Sequence, residues 1–356
     1  MGEYRVAVVP GDGVGPEVSA EAERVLRAAA DRFGFSVEAE WFDWGCDRFL
    51  ETGEMMPADA LETLAGFDAI FLGCIGDANK VPDHVSLQML LDIRVGFDQY
   101  VNLRPIRLYP GVPTPLRTAT PETVDFVVIR ENTEGEYARQ GGFFKADTPE
   151  VFVTQTGVFT RKGCTRVIRY AFELAEERKA AGYPGRVTNC TKSNALNYSM
   201  VFWDRIYDEV AADHPGIERD MALVDALTMW FVKNPEWFDV VVASNLFGDI
   251  VTDLGAMLQG GMGFAAGGNI DPERRYPSMF EPIHGSAPKY TGQGRVNPIA
   301  SIEAIRMMLD HLGEPDAATA VADAVAAVLT EGEVRTRDIG GTNTTSEVGA
   351  AVATRI

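Results

Sequence analysis

Short continuous apolar runs alternate, along the first hundred residues, with stretches whose apolar positions recur at helical spacing. "YRVAVVPG" precedes the helical pattern of "PEVSAEAERVLRAAADRFG", "FSVEAEWF" precedes "PADALETLAGF", and "DAIFLGCIG" follows. Gly or Pro closes each helical stretch, as a helix end requires. This alternation predicts a largely parallel α/β sheet. Beyond residue 100 the pattern changes. "TVDFVVIRENTEGEYARQGGFF" and "TPEVFVTQTGVFT" read as strands joined by glycine turns, followed by a helix over "RKGCTRVIRYAFELAEERKAAG" and a strand in "GRVTNCTKSN". Helices near "YSMVFWDRIYDEVAADH" and over "ALVDALTMWFVKN" precede the buried-type strand "FDVVVASN". A glycine-rich tract follows residue 255, and the pattern is then helical to near the C-terminus. The change of texture predicts a second domain inserted into the middle of the first.

The first turn poses a separate question. In "VAVVPGDGVGPEV" an apolar run meets Gly11, Gly13 and Gly15, and a helical pattern starts at once with Pro16 in its first turn. Strand, glycine turn and helix are the setting of a Rossmann dinucleotide unit, and Glu40 or Asp43 is an acidic candidate for a ribose hydroxyl. The spacing does not match, because that fingerprint needs two residues before its third glycine. The motif reads as a tight strand-to-helix connection.

Composition narrows the functional classes. With 356 residues, 46% of them apolar, the chain has the length for about two globular domains. Net charge is 32 minus 52, or −20. Such a surface repels phosphate backbones and argues against nucleic-acid binding. An anionic substrate then needs a local basic pocket set against the global field. No stretch reaches the ~18 uncharged apolar residues of a membrane span, and "MGEYRVAVVPG" lacks the pattern of a secretory leader. Cys46, Cys74, Cys164 and Cys190 form no C-x-x-C pair and read as small reduced core residues of a cytoplasmic protein. His84, His214, His284 and His311 show no zinc-site spacing.

The basic pocket has three candidates. Arg94 and Arg104 stand ten apart in "LLDIRVGFDQYVNLRPIRL", and Arg130 ends the apolar strand "FVVIR". Guanidinium forks match carboxylates, and three converging forks are specific for a di- or tricarboxylate. Asp249 and Asp253, in "VVVASNLFGDIVTDLG", share a helix face at i and i+4 and repel each other unless a cation sits between them. Asp225, in "MALVDALTMW", is a third acid in an apolar setting, where a lone carboxylate needs a partner. Three such oxygen donors suit octahedral Mg²⁺ or Mn²⁺. Lys192, in "NCTKSNAL", becomes a base near neutral pH if cations lower its pKa. Tyr137, in "ENTEGEYARQGG", is a proton donor if held near the same cation.

Together these segments resemble the β-decarboxylating dehydrogenases, the isocitrate/isopropylmalate dehydrogenase family, over nearly the full chain. The resemblance rests on "PGDGVGPEV", "FDQYVNLRP", "IRENTEGEY", "TKSNAL", "VVASNLFGDIVTDLG", "FEPIHGSAPKYTGQGRVNP" and "VRTRDIGG". It implies an α/β fold that is not Rossmann, with a discontinuous large cofactor-binding domain (1–100 and 255–356). A smaller domain (101–254) would carry the dimer interface and the metal and substrate residues. It implies that Arg94, Arg104 and Arg130 bind the carboxylates of a small malate-type acid and that Asp225, Asp249 and Asp253 hold Mg²⁺ or Mn²⁺. Lys192 and Asp225 would reach into the neighbouring site of a homodimer. The dinucleotide would lie along His284, Gly285, Ser286, Ala287 and Pro288, continuing to Lys289 and Tyr290, with Asn297 near the adenine. The implied chemistry is hydride transfer from C2, with Lys192 as base, followed by loss of the β-carboxylate as CO₂ and protonation by Tyr137.

Within that family the sequence looks most like tartrate and D-malate dehydrogenases. Leu90 and Leu91 resemble the wall that accepts the isopropyl group, which makes 3-isopropylmalate the alternative substrate. Gln88 and Leu90 stand where isocitrate dehydrogenases usually place Ser and Asn, so isocitrate is less favoured. "RTRDIGG" resembles the NAD-type C-terminal segment, and NAD is the expected cofactor. Lys289 and Tyr290 resemble the NADP type, with Arg337 as a second cation, so NADP is the alternative. A noncatalytic regulatory homologue would be expected to lack the metal acids or the lysine, and all are present.

Overall fold

The run Val6–Val9 is wholly buried, which explains why it is continuous rather than alternating: it belongs to an inner strand covered on both faces. The computed structural model describes residues 2–356. In chain order its elements begin with β1 (Glu3–Gly11), α1 (Gly15–Phe33), β2 (Ser36–Trp41), α2 (Cys46–Thr52), α3 (Ala60–Leu64), β3 (Ala69–Cys74) and α4 (Asp83–Gly96). Next come β4 (Val101–Arg107), β5 (Asp125–Glu131), β6 (Gly135–Phe144), β7 (Phe152–Val158), α5 (Arg161–Ala180), β8 (Arg186–Thr191) and α6 (Ser199–Ala211). The chain continues through β9 (Glu218–Leu223), α7 (Val224–Lys233), β10 (Val240–Ala243), α8 (Asn245–Leu258), β11 (Ala266–Ile270) and β12 (Ser278–Pro282). It closes with α9 (Ile299–Leu312), α10 (Pro315–Glu331) and α11 (Thr345–Ala353).

Two units emerge. Unit 1 holds the residues up to Gln99, Arg107–Glu122 and Ala256–Ile356; unit 2 holds Tyr100–Ile106 and Thr123–Gly255. In unit 1 the strands run β2-β1-β3-β12-β11, parallel except for the β11–β12 pair. Helix α1 buries Val18, Ala22, Val25, Leu26 and Ala29, a single stripe at helical period that packs on α9 and α11. In unit 2 the order is β4-β5-β10-β8-β9, with β5, β10, β8 and β9 mutually parallel. Strands β6 and β7 form a separate antiparallel ribbon. All four cysteines are buried free thiols, and burial pushes Cys46, Cys164 and Cys190 up to about 12, out of reach of nucleophilic chemistry. Among the described residues no helix is long and apolar enough to cross a membrane.

Three features depart from the sequence pattern. The segment Arg107–Glu122 belongs to unit 1, where Tyr109 donates to Glu303 (2.6 Å), Thr114 donates to the Leu258 carbonyl (2.8 Å), and the Arg107 amide donates to Gln259 (2.8 Å). These are long-range polar contacts that no local pattern encodes. The tract after residue 255 contains β11 and β12 before any long helix. Gly268 makes that strand pair possible, because a Cβ there would meet the Phe280 ring. Strand β9, "ERDMAL", is largely exposed and shows no apolar run, although the backbone pairs with β8 throughout.

His311, on α9, lies 5.5 Å from the Phe280 ring by centroids. Burial lowers its pKa to about 4, Arg274 adds to the shift, and Asp271 opposes it. The unfolded chain, with histidine near its ordinary value, then binds the proton more readily. Stability is therefore complete above about pH 6.5 and is lost as pH falls toward 4. The expected result of His311→Asn is a stability–pH slope between pH 6.5 and 5 reduced by about one proton, roughly 1.4 kcal/mol per pH unit at most. Urea unfolding across that window measures it, and an unchanged slope contradicts the assignment.

Candidate active site

Strand β5 ends at Arg130 and Glu131, and helix α8 starts directly after β10. Because β5 and β10 are paired and parallel, the turns at their ends bring a charged cluster together inside unit 2. Arg130 is 2% exposed and directs both Nε (3.0 Å) and Nη2 (2.8 Å) to the Asn245 carbonyl oxygen, while Nη1 is ion-paired with Asp249. Arg104, 5% exposed, donates to Asn102 (2.6 Å) and Thr252 (2.5 Å), with Asp249 at 3.6 Å. The Tyr137 hydroxyl donates to the other oxygen of Asp249 (2.7 Å), and its ring lies 5.4 Å from the Arg130 guanidinium. Asp253 follows one turn later on α8. Partial burial pushes its carboxyl above the usual range, Asp249 adds to that, and Arg104 and Arg130 oppose it.

Asn245 holds this cluster in register. Its amide nitrogen donates to the Glu134 carbonyl (2.9 Å) while its oxygen receives Arg130, which ties the β5–β6 turn to the start of α8. Glu131, buried beside it, accepts from the Thr133 and Glu134 amides at 2.9 Å each. Asn245 and Glu131 both lie within motifs visible in the sequence. Neither was assigned a role there, because an amide or carboxylate that braces another side chain has no signature of its own.

Arg94 is in unit 1, where Nη2 donates to Glu281 at 2.8 Å with both side chains buried and Asn269 also donates to that oxygen. The Arg94 Nε has no protein partner. Leu90 packs in the unit 1 core with Ile70, Leu72 and Ile93. Lys192 donates to Asp225 at 2.7 Å, which holds that carboxyl below its usual range. Asp225 is not in a buried apolar setting as the sequence pattern predicts; its side chain is 66% exposed. The apolar positions around it face outward too, Met229 at 66% and Met221 at 57% exposed. Among the described residues no three His, Cys, Asp or Glu side chains of one chain gather as a metal-binding group.

The HGSAP loop borders a cavity of about 890 Å³ within unit 1, whose walls include Val14, His284, Tyr290, Arg295, Asn297 and Asp338. Burial lowers the His284 pKa and keeps the ring neutral, with Nδ1 facing the Gly285 carbonyl (3.1 Å). Its buried Nε2 has no protein partner. Asn297 donates to Asp338 at 3.0 Å. Ser286 points inward instead: its hydroxyl donates to the Gly76 carbonyl, and its own carbonyl accepts the Val14 amide (2.8 Å). Gly13, at φ +62°, leaves room for that approach, since a Cβ would collide with the Ser286 carbonyl. Asp12 completes the turn by accepting the Cys46 and Gly76 amides at 2.7 Å each. The glycines of β1–α1 therefore receive protein backbone rather than a pyrophosphate.

Two cations, Arg295 and Arg337, line this cavity, and a third, Lys289, lies against its Tyr290 wall. Lys289 and Arg295 lie 4.7 and 5.1 Å from the Tyr290 ring centroid, and Arg337 lines the wall. None of them forms an ion pair with a carboxylate among the described residues, although acidic residues outnumber basic ones 52 to 32. Arg295 was not singled out by the sequence motifs, because it lies beyond the HGSAP stretch and reaches the cavity only through the turn at 291–294.

A family model described as isocitrate/isopropylmalate dehydrogenase matches residues 5–352. A probable tartrate dehydrogenase/decarboxylase of Bacillus subtilis (strain 168) is 47% identical, covering 100% of this chain and 99% of its own. D-malate dehydrogenase [decarboxylating] of Escherichia coli (strain K12) is 48% identical over 99% of this chain and 98% of its own, and a 3-isopropylmalate dehydrogenase of Thermobifida fusca (strain YX) is 47% identical over 99% and 97%. The crystal structure of an isocitrate dehydrogenase from Methylococcus capsulatus superposes with a TM-score of 0.89 at 34% identity, covering 99% of both chains. With a fold of that type and a match across nearly its whole length, the chain belongs to the isocitrate/isopropylmalate dehydrogenase family.

Proposed function

We propose that this protein catalyses the oxidative decarboxylation of a small malate-type 2-hydroxy acid, D-malate or tartrate, with a nicotinamide dinucleotide and Mg²⁺ or Mn²⁺. The observation that carries this reading is the Arg104–Arg130–Asp249–Tyr137 cluster. Its guanidiniums are buried, rest largely on neutral acceptors and share one carboxylate. The names of the tartrate and D-malate relatives support the substrate class. Asp249 and Asp253 offer hard oxygen donors one helical turn apart, a donor set that fits Mg²⁺ or Mn²⁺, with Asp225 contributed from a partner subunit. The unpartnered His284 Nε2, Asn297 and Asp338 fit a dinucleotide in the unit 1 cavity.

A bound metal would supply Lewis-acid charge, and a bound nicotinamide a hydride acceptor. Arg94, Arg104 and Arg130 fix the acid's carboxylates. Lys192, once freed from its pair with Asp225 and having released its ammonium proton to solvent, accepts the C2 hydroxyl proton at Nζ as the neutral amine. Tyr137 donates its phenolic proton to the carbon that has lost the β-carboxylate. The outward apolar faces of α7 and of the β6–β7 ribbon, with Phe143 78% exposed, support a homodimer that shares its sites. A noncatalytic homologue remains disfavoured, because Lys192, Tyr137 and the three aspartates are all present.

The cation cluster favours NADP over the NAD that "RTRDIGG" suggests. Arg295 and Arg337 in the cavity wall, with Lys289 beside Tyr290, suit a 2′-phosphate, which adds charge that NAD lacks.

A kcat/KM panel of D-malate, tartrate isomers, 3-isopropylmalate and isocitrate with Mn²⁺ tests the assignment. D-malate or tartrate should lead, chelator should abolish turnover, and Lys192→Ala should lower kcat by about 10²–10⁴. A lead for 3-isopropylmalate, or full turnover in chelator, contradicts it. Arg337→Ala should lower kcat/KM for NADP by about tenfold while leaving that for NAD nearly unchanged; equal effects on both cofactors overturn the preference.

A further inference from the structure

Glu17 occupies the third position of α1, from which a carboxylate ordinarily reaches back to its own helix's first amides. Here it turns outward. One oxygen accepts the Gly292 amide at 2.5 Å and the other accepts the Gly294 amide at 2.9 Å. The N-terminus of α1 has no side-chain cap of its own. From the opposite side Thr345, in the first turn of α11, donates its amide to the Gly294 carbonyl (2.9 Å) and its hydroxyl to the Val296 carbonyl (2.7 Å). The turn at 291–296 is thus clamped between the starts of two helices. That turn carries Arg295 and Val296 into the wall of the unit 1 cavity and adjoins Tyr290.

We propose that Glu17 is a positioning residue for dinucleotide binding, a latch that holds the 291–296 turn in its binding geometry before the cofactor arrives. The proposal rests on reading the unit 1 cavity as the dinucleotide site. Glu17 does not line that cavity, so it acts only through the turn. Hydrogen bonds to a carboxylate are stronger than neutral ones, and this carboxylate holds both amides at once. Gly292 and Gly294 are at positive φ (71° and 58°) and a Cβ at either would meet nothing, so the glycine end of the turn relies on these hydrogen bonds, while Val296 at its other end packs against Val14 and Val18. Without the latch both amides face water and the turn is held from α11 alone, so binding must order its glycine end, which lowers affinity without altering the reacting groups.

Direct calorimetric titration of NADP and NAD into wild type, Glu17→Gln and Glu17→Ala tests this, with amide hydrogen exchange of the ligand-free proteins. Glu17→Ala should weaken dinucleotide affinity by about tenfold, and Glu17→Gln by less because one acceptor oxygen remains. Exchange across 290–296 should accelerate in both, while kcat at saturating dinucleotide and KM for D-malate stay within about twofold of wild type. Unchanged dinucleotide affinity in Glu17→Ala overturns the proposal, as does a parallel loss of kcat, D-malate KM and global protection in both variants. A wild-type protein that binds no dinucleotide, while exchange still accelerates in the variants, overturns the assignment of the cavity rather than the latch itself.

Discussion

Arg104 and Arg130 are buried in a protein of net charge −20, and both lie against the Asp249 carboxylate. Removing a guanidinium from water is costly unless its donors are met. The chain meets them chiefly with Asn102, Asn245 and Thr252, which satisfy hydrogen bonds without neutralising charge. Neutral acceptors thus orient the forks, while Asp249 and Asp253 balance their charge. The parallel strand β5, the helix α8 and the Asn245 bridge follow from the need to hold these groups still. A carboxylate substrate meets forks whose geometry is already set.

Unit 1 solves a different problem with similar means. Its glycine turn brings backbone against backbone, so that the Val14 amide supports Ser286 and Asp12 collects two further amides. The loop that follows β12 is thereby shaped without help from a ligand. Left along one wall are the buried His284 Nε2, which has no protein partner, and Arg295 and Arg337, which pair with no carboxylate. A fold that pairs its surface charges as widely as this one does elsewhere leaves such a wall for an anion.

Much of this was legible from sequence. Strands buried on both faces, such as Val6–Val9 and Val240–Ala243, produce apolar runs, and α1 produces a clean stripe. The arginines, aspartates, Lys192 and Tyr137 were visible because chemistry needs those residue types in recognisable motifs. What escaped depends on long-range contact. Strand β11 is disguised by its glycines, of which Gly268 admits Phe280, and β9 is an exposed edge strand held chiefly by its pairing with β8. Asp225 looked buried because its neighbours are apolar, yet those neighbours face outward. The braces Asn245, Asp12 and Glu17 act on groups far away in sequence, and local pattern cannot show that.

Charge balance links the proposed substrate to the proposed metal. Arg104 and Arg130 are offset by Asp249 and Asp253 when both acids are ionised, so these four side chains are neutral together. A divalent cation alone, or a dicarboxylate dianion alone, leaves the cluster charged; the two together restore neutrality, and each must therefore strengthen the other's binding. The direct measurement is calorimetric titration of Mn²⁺ into the protein with and without D-malate, and the reverse titration. The account predicts that each ligand tightens the other by the same factor, about tenfold or more. Metal and acid that bind independently of each other would contradict it.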